Sequence, residues 1–202
     1  MADAEELFRR ALEVKPASGF AIKLAEVQRR RGNAAQARTT LETWLASNPA
    51  DLTIRFLIAN YDLSDGRYAE SRAHYAELAA KQPDNALIRN NLAWLMWRDH
   101  DYEAAREHAD RALELAPNDA RIKDTAGLVR LALGHTAQAV SLLDEAATLL
   151  PDNLDIRFHQ AQAHVAAGNA DRARVILQQL LDSNKPFGER AEAERLLEKL
   201  GR

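Results

Sequence analysis

Residues 86–119 read ALIRNNLAWLMWRDHDYEAAREHADRALELAPND. Ile88, Leu92 and Leu95 fall at i, i+4 and i+7, the spacing of one buried helical face. A proline closes the stretch, where a helix cannot continue. Within the first half, Asn90 and Asn91 adjoin each other, and Trp94 and Trp97 stand three residues apart. A packed helix keeps asparagine near its ends and hides its tryptophans, so this helix has a face that the core does not account for.

The stretch is one turn of a longer repeat. Gly32, Gly66, Gly134 and Gly168 share a 34-residue register whose missing rung is His100. Ala25, Ala59, Ala93, Gly127 and Ala161 share the same spacing, as do Ala37, Ser71, Ala105, Ala139 and Ala173. Pro49, Pro83, Pro117 and Pro151 form another ladder, followed two residues later by Asp51, Asn85, Asp119 and Asn153. Repeats at such a period indicate stacked supersecondary units. The five units are 18–51, 52–85, 86–119, 120–153 and 154–187.

Each ladder has a physical reason. Asp or Asn after the proline serves as an N-cap for the first helix. The central glycine supplies the left-handed residue that ends it. The small rungs allow two helices to approach closely. Each unit is therefore helix, tight turn, helix. His100 should cost roughly 1 kcal/mol relative to glycine if its turn keeps a positive φ. The first helices share an inward stripe beginning at Phe20, Ile54, Ile88, Ile122 and Ile156, and the second helices bury residues such as Leu41, Tyr75, Leu113, Leu143 and Leu177. No unit covers these faces alone, so neighbours must stack.

The ends fit this scheme. Residues 1–17 read as a partial repeat, with Ala4, Leu7, Phe8, Ala11 and Leu12 on one face: a second helix without its partner, or an N-terminal cap. Residues 188–202 read as a C-terminal capping helix with Ala193, Leu196, Leu197 and Leu200 inward. The whole of 1–202 reads as a single domain.

Composition narrows the function classes. Of the 202 residues, 47% are hydrophobic and 28% charged, so the chain folds rather than remaining disordered. A net charge of −3 argues against a nucleic-acid binder, which carries a basic excess. With no cysteine, disulfides and thiolate chemistry are excluded. No apolar run approaches membrane-spanning length, and no basic-then-apolar leader opens the chain. His159 and His164 are five apart and miss the helical spacing for a shared metal ion. No phosphate-cradling loop or catalytic motif is found. The reading is a non-catalytic protein with no cofactor and no metal.

The 34-residue unit, with its small residue in the first helix, alanine early in the second and closing proline, resembles the tetratricopeptide repeat. Trp44, where that family usually has alanine, and Lys185, which displaces the last proline, are departures that imply local repacking. The resemblance implies an all-α, right-handed solenoid of five hairpins. The order NNLAWL, DTAGLV, DIRFHQAQAHVAAGN and the tail KPFGERAEAERLLEKL further resembles the C-terminal part of tetratricopeptide lipoproteins of bacterial PEP-CTERM systems, which accompany exopolysaccharide-linked protein sorting. That resemblance implies a periplasmic or outer-membrane-associated location; without it, a cytoplasmic one is expected. The lipoprotein cysteine of that family is absent, so anchoring does not carry over.

In such a solenoid the first helices line a concave groove that takes a peptide or partner protein. The groove face comprises Phe56, Leu57 and Asn60; Leu87, Asn90, Asn91, Trp94 and Trp97; Arg121, Asp124, Thr125 and Leu128; and Phe158, His159 and Gln162. Asparagine amides both donate to and accept from a peptide backbone, and aromatic rings supply apolar contact area. The alternative for Trp94 and Trp97 is gap-filling between successive first helices. Chaperone-adaptor members of the family clamp a terminal carboxylate. Asn60, Asn91 and Arg121 match that pattern, but Phe56 and Thr125 replace two cations, so carboxylate capture is not expected. The ladder Arg55, Arg89, Lys123 and Arg157 reads as local pairing with Asp51 and Asp119 at i, i+4, the alternative being an anionic edge ligand. A second overall reading is homo-oligomer assembly through the N-terminal half-repeat.

Overall fold

The computed structural model describes residues 2–183 and 185–201, and every regular element among them is an α-helix. Helix α1 spans Ala2–Val14. Five hairpins follow: α2 (Ser18–Arg30) with α3 (Ala34–Ser47), α4 (Leu52–Ser64) with α5 (Tyr68–Lys81), α6 (Ala86–Arg98) with α7 (Tyr102–Leu115), α8 (Ala120–Ala132) with α9 (Thr136–Leu149), and α10 (Leu154–Ala166) with α11 (Ala170–Asp182). Helix α12 (Arg190–Leu200) comes last. The chain divides into two compact units, Met1–Gln82 and Pro83–Arg202.

Local chemistry fixes the hairpin ends. Asp51, Asn85 and Asn153 each accept a hydrogen bond from the backbone N–H three residues on, and Asp119 accepts from that of Arg121. Such caps are worth about 1 kcal/mol each. The first helices end in a common way. Gly32, Gly66, Gly134 and Gly168 have φ of 82°, 76°, 77° and 75°. Their N–H groups and those of the following residues return to carbonyls of the last turn. His100 takes the same left-handed conformation, with φ of 63°.

In the first unit, Ala21, Ala25, Ala37, Leu41, Leu45, Ile54 and Ile58 form the core, with Leu12 of α1 packed against it. Glu5 is buried and pairs with Arg9 and Arg31, tying α1 to the end of α2. Leu7 differs from expectation: it is 64% exposed. The helix turns Glu5 inward, and that ion pair together with Leu12 fixes its phase. Trp44 stays half-buried because its indole N–H donates to Asp51 Oδ2 at 2.9 Å, linking α3 to the cap of α4.

In the second unit, Ala93, Ala105, Ala109, Ala126 and Val129 form one cluster, against which Met96 and Trp97 pack. Phe158, Ala161, Ile176, Leu177 and Leu180 form another, closed over by Ala193, Leu196, Leu197 and Leu200 of α12. The small rungs are fully buried at Ala93, Ala105, Ala139, Ala161 and Ala173. At Gly127 the space has been taken up by a neighbour: a Cβ there would lie 2.5 Å from Leu143 Cγ.

A further 34-residue ladder is polar: Gln28, Asp62, Arg130 and His164, with Met96 as its exception. Asp62 is fully buried and accepts from Arg38 of α3 at 2.7 Å and from Arg67 at 2.6 Å. Arg130 pairs with Asp110 of α7, and His164 with Asp144 of α9 at 3.0 Å. In these three cases a first helix is latched to the second helix before it. Stripping fully buried Asp62 of its cations would typically cost about 3–5 kcal/mol, whereas Asp110 and Asp144 are 43% exposed and their pairs contribute less.

Candidate functional site

The phase of α6 is set by Ile88, Leu92 and Leu95, all at most 1% exposed. That rotation leaves Leu87 45% exposed, holds Asn91 and Trp94 half-buried, and draws Asn90 in to 8% exposure. Trp97 packs against the Ala93–Val129 cluster and belongs to the core side of the helix. Asn91 and Trp94 therefore border the surface without being sealed beneath it.

Beside this face, between α6 and the start of α8, lies a hollow of about 240 Å³. Leu87, Asn90, Asn91, Asp119, Arg121 and Ile122 are among its walls. Asn90 Oδ1 is fully buried and accepts no hydrogen bond among the described residues. An unsatisfied buried amide oxygen costs about 1–3 kcal/mol. Arg121 is turned back on Asp119, with Nη2 to Oδ2 at 3.2 Å; burial opposes the charge of the Asp119 carboxyl, but hydrogen bonds from the guanidinium and backbone N–H of Arg121, with its charge, together hold it below its usual range. A second hollow of about 470 Å³ shares Asp119 and Arg121 and adds Leu149 and Leu150, which are 47% and 39% exposed.

Other residues expected on this face are committed elsewhere. Leu128 and Phe158 are 3% and 1% exposed, and Phe158 packs in the cluster with Ile176 and Leu177. Thr125 is buried and donates to the Arg121 carbonyl at 3.1 Å, the usual resort of a hydroxyl inside a helix. Asn60 donates to the Phe56 carbonyl at 2.8 Å and accepts from Tyr75 Oη at 3.0 Å, so both ends of its amide are occupied. Phe56 stands edge-on to the Tyr75 ring with centroids 6.0 Å apart. Tyr75 gives the one available sequence signal: it stands in a rung otherwise filled by Leu41, Ala109, Leu143 and Leu177, and a buried hydroxyl needs a partner.

His159 and Asp124 form an ionic clasp rather than a contact surface. His159 is buried, with Nδ1 2.8 Å from Asp124 and Nε2 3.2 Å from Glu189 at the start of α12. Burial opposes its charge, but hydrogen bonding and charge from Asp124 and Glu189 outweigh this and push His159 up to about 10. Gln162 remains half-buried and lines a separate hollow of about 230 Å³ with Glu192, Arg195 and Lys199.

The basic ladder is paired, though not with the partners its spacing suggests. Arg55 reaches Glu77 at 2.6 Å, Lys123 reaches Glu145, and Arg157 donates to Gln179 at 2.7 Å. Each partner lies 22 residues on, across its own hairpin. Asp51 and Asp119 are held by their capping duties, which leaves the longer reach to the cations. In the third hairpin that position is Arg111, and Arg89 meets His108 Nδ1 at 2.9 Å instead.

Capped helical hairpins at a 34-residue period, with small residues at the crossings and polar latches between neighbours, define a helical-repeat protein. Family models described as tetratricopeptide repeat match residues 19–43, 56–120 and 130–200, and the chain belongs to the tetratricopeptide repeat family. Cellulose synthase operon protein C of Xanthomonas axonopodis pv. citri is 29% identical over 206 residues, which cover 91% of this chain. The chain spans only 14% of that protein's length. The Hsp70-Hsp90 organizing protein of Triticum aestivum is 28% identical over 113 residues, covering 56% of this chain and 19% of that protein. Among solved structures, a tetratricopeptide repeat protein from Parabacteroides merdae superimposes with a TM-score of 0.79 at 18% identity, over 98% of this chain and 78% of that one. YrrB, described as a TPR protein with an unusual peptide-binding site, gives 0.71 at 17% identity, over 95% of this chain and all of the other. The family fold is typically a non-catalytic scaffold for protein–protein interaction. No helix among the described residues is long and apolar enough to cross a membrane.

Proposed function

We propose that this chain is a non-catalytic scaffold whose α6–α8 face binds a peptide segment of a partner protein within a bacterial envelope assembly that makes or exports polysaccharide. One observation carries the binding reading: exposed Leu87 and half-buried Asn91 wall a hollow together with the Asn90 amide, and half-buried Trp94 follows on the same helix. Apolar contact and amide pairing together are what an extended peptide requires. The envelope setting is supported by the likeness to cellulose synthase operon protein C and by the resemblance of the repeat order and tail to the PEP-CTERM lipoproteins. The test is affinity capture from a bacterial envelope extract, read by mass spectrometry, with wild type and the Asn91→Ala/Trp94→Ala double variant. The double variant should lose specific partners while keeping its helical circular dichroism. Equal capture by both would sink the reading.

A second reading has its own observation. Leu7 and Val14 of α1 are 64% and 86% exposed, an apolar edge that a second copy would cover. Light scattering over a wide concentration range tests it. A constant monomer mass would remove it.

A further inference from the structure

The hollow beside Asn90 carries information about what kind of peptide it takes. Resting on the binding reading above, we infer that it receives an internal, uncharged stretch of extended chain with spaced aliphatic side chains, and not a free C-terminal carboxylate.

Three observations support this. Asn90 is more than nine-tenths buried and lines the hollow, yet its Oδ1 has no partner among the described residues. Half a turn about χ2 exchanges the oxygen and the NH₂ of the amide at the hollow, so this one side chain can meet a peptide N–H or a peptide C=O. Secondly, the cation at the rim is already neutralised: Arg121 folds onto Asp119 through its side chain and also through its backbone N–H. A carboxylate entering here would meet Asp119 together with Arg121, the one cation among the described residues that line the hollow and already paired. Thirdly, a second hollow borders the same ion pair. Its walls include exposed Leu149 and Leu150. A chain with one aliphatic residue against Leu87 and Ile122 thus has a second apolar seat further on. Both seats are filled only by a segment that continues past the pair.

The experiment compares two probes of identical side chains whose C-terminal ends fall at the ion pair: acetyl-Leu-Ser methylamide and acetyl-Leu-Ser with a free carboxylate. Binding is followed by NMR through the side-chain amides of Asn90 and Asn91 and the backbone amides of α6 and α8. The capped probe should bind at least about tenfold tighter than the free acid, because a site built on buried amide pairing rejects a ligand that leaves it unmatched. Asn90→Leu should weaken the capped probe by about tenfold or more, while its urea midpoint stays level or rises, since an unsatisfied buried polar group is replaced by an apolar one of similar size. Equal or tighter binding of the free acid overturns the inference, as does unchanged affinity in Asn90→Leu. In both of those outcomes α6 and α8 still respond to a probe, and the binding reading stands. If neither probe perturbs either helix, both fall.

Discussion

Replacing Gly127 by alanine should destabilise the protein, although helix propensity says the opposite. Gly127 lies inside α8, where alanine is favoured over glycine by about 1 kcal/mol. The other rungs of its ladder are alanines, so composition would also recommend the change. The structure opposes it. A Cβ at Gly127 would sit 2.5 Å from Leu143 Cγ and 3.0 Å from its Cδ2, and Leu143 is completely buried. The clash involves the branch point of the side chain rather than a flexible tip, so relief requires α8 and α9 to separate. Overpacking of this kind costs about 1–3 kcal/mol, leaving a net loss between about zero and 2 kcal/mol once the propensity gain is subtracted. A double-mutant cycle sharpens the test. Leu143→Ala alone should lose about 2–5 kcal/mol through the cavity it leaves. In that background Gly127→Ala should gain about 1 kcal/mol, so the sign reverses. Urea unfolding by circular dichroism gives the totals, and hydrogen exchange of α8 and α9 amides locates the effect. Gly127→Ala that stabilises the wild-type chain by the full propensity gain would refute the packing argument, because Leu143 would then have room to move.

Two further outcomes follow from charge and backbone geometry. The His159 pKa rises from its ordinary 6.5 to about 10, so the clasp on Asp124 and Glu189 contributes fully below pH 6.5 and is lost as pH climbs through 10. The upper bound is on the order of 4–5 kcal/mol; the stability difference between wild type and His159→Gln should shrink over that interval, and a His159 ring titrating near 6.5 by NMR would contradict the clasp. His100→Gly should relieve about 1 kcal/mol of left-handed strain, partly offset by loss of the 2.6 Å contact with Tyr102 Oη. The full gain should emerge only in a Tyr102→Phe background, and a loss of stability in that background would show that the turn does not hold His100 under strain.

Periodicity by itself determined the helical hairpins, their caps and their small crossings. These follow from contacts within a few residues: Asp51 caps the amide three positions on, and Gly32 ends the helix it follows. The polar ladder of Gln28, Asp62, Arg130 and His164 shares the 34-residue period, but its meaning came from the partners it meets in space, Asp62 with Arg38, Arg130 with Asp110 and His164 with Asp144. What the tertiary structure alone decided was which polar groups remain available. Asn60 and Asn90 look alike in sequence, each an asparagine on a first helix. Asn60 is occupied by Tyr75 from the paired helix, whereas Asn90 Oδ1 is buried beside a hollow with no partner among the described residues. Likewise, Phe158 and Leu128 share the helical face of Gln162 and Arg121 by simple counting, yet both are buried. Hydrogen bonds and packing between helices are set by positions in space, and a 34-residue period fixes which residues recur without fixing what each one meets.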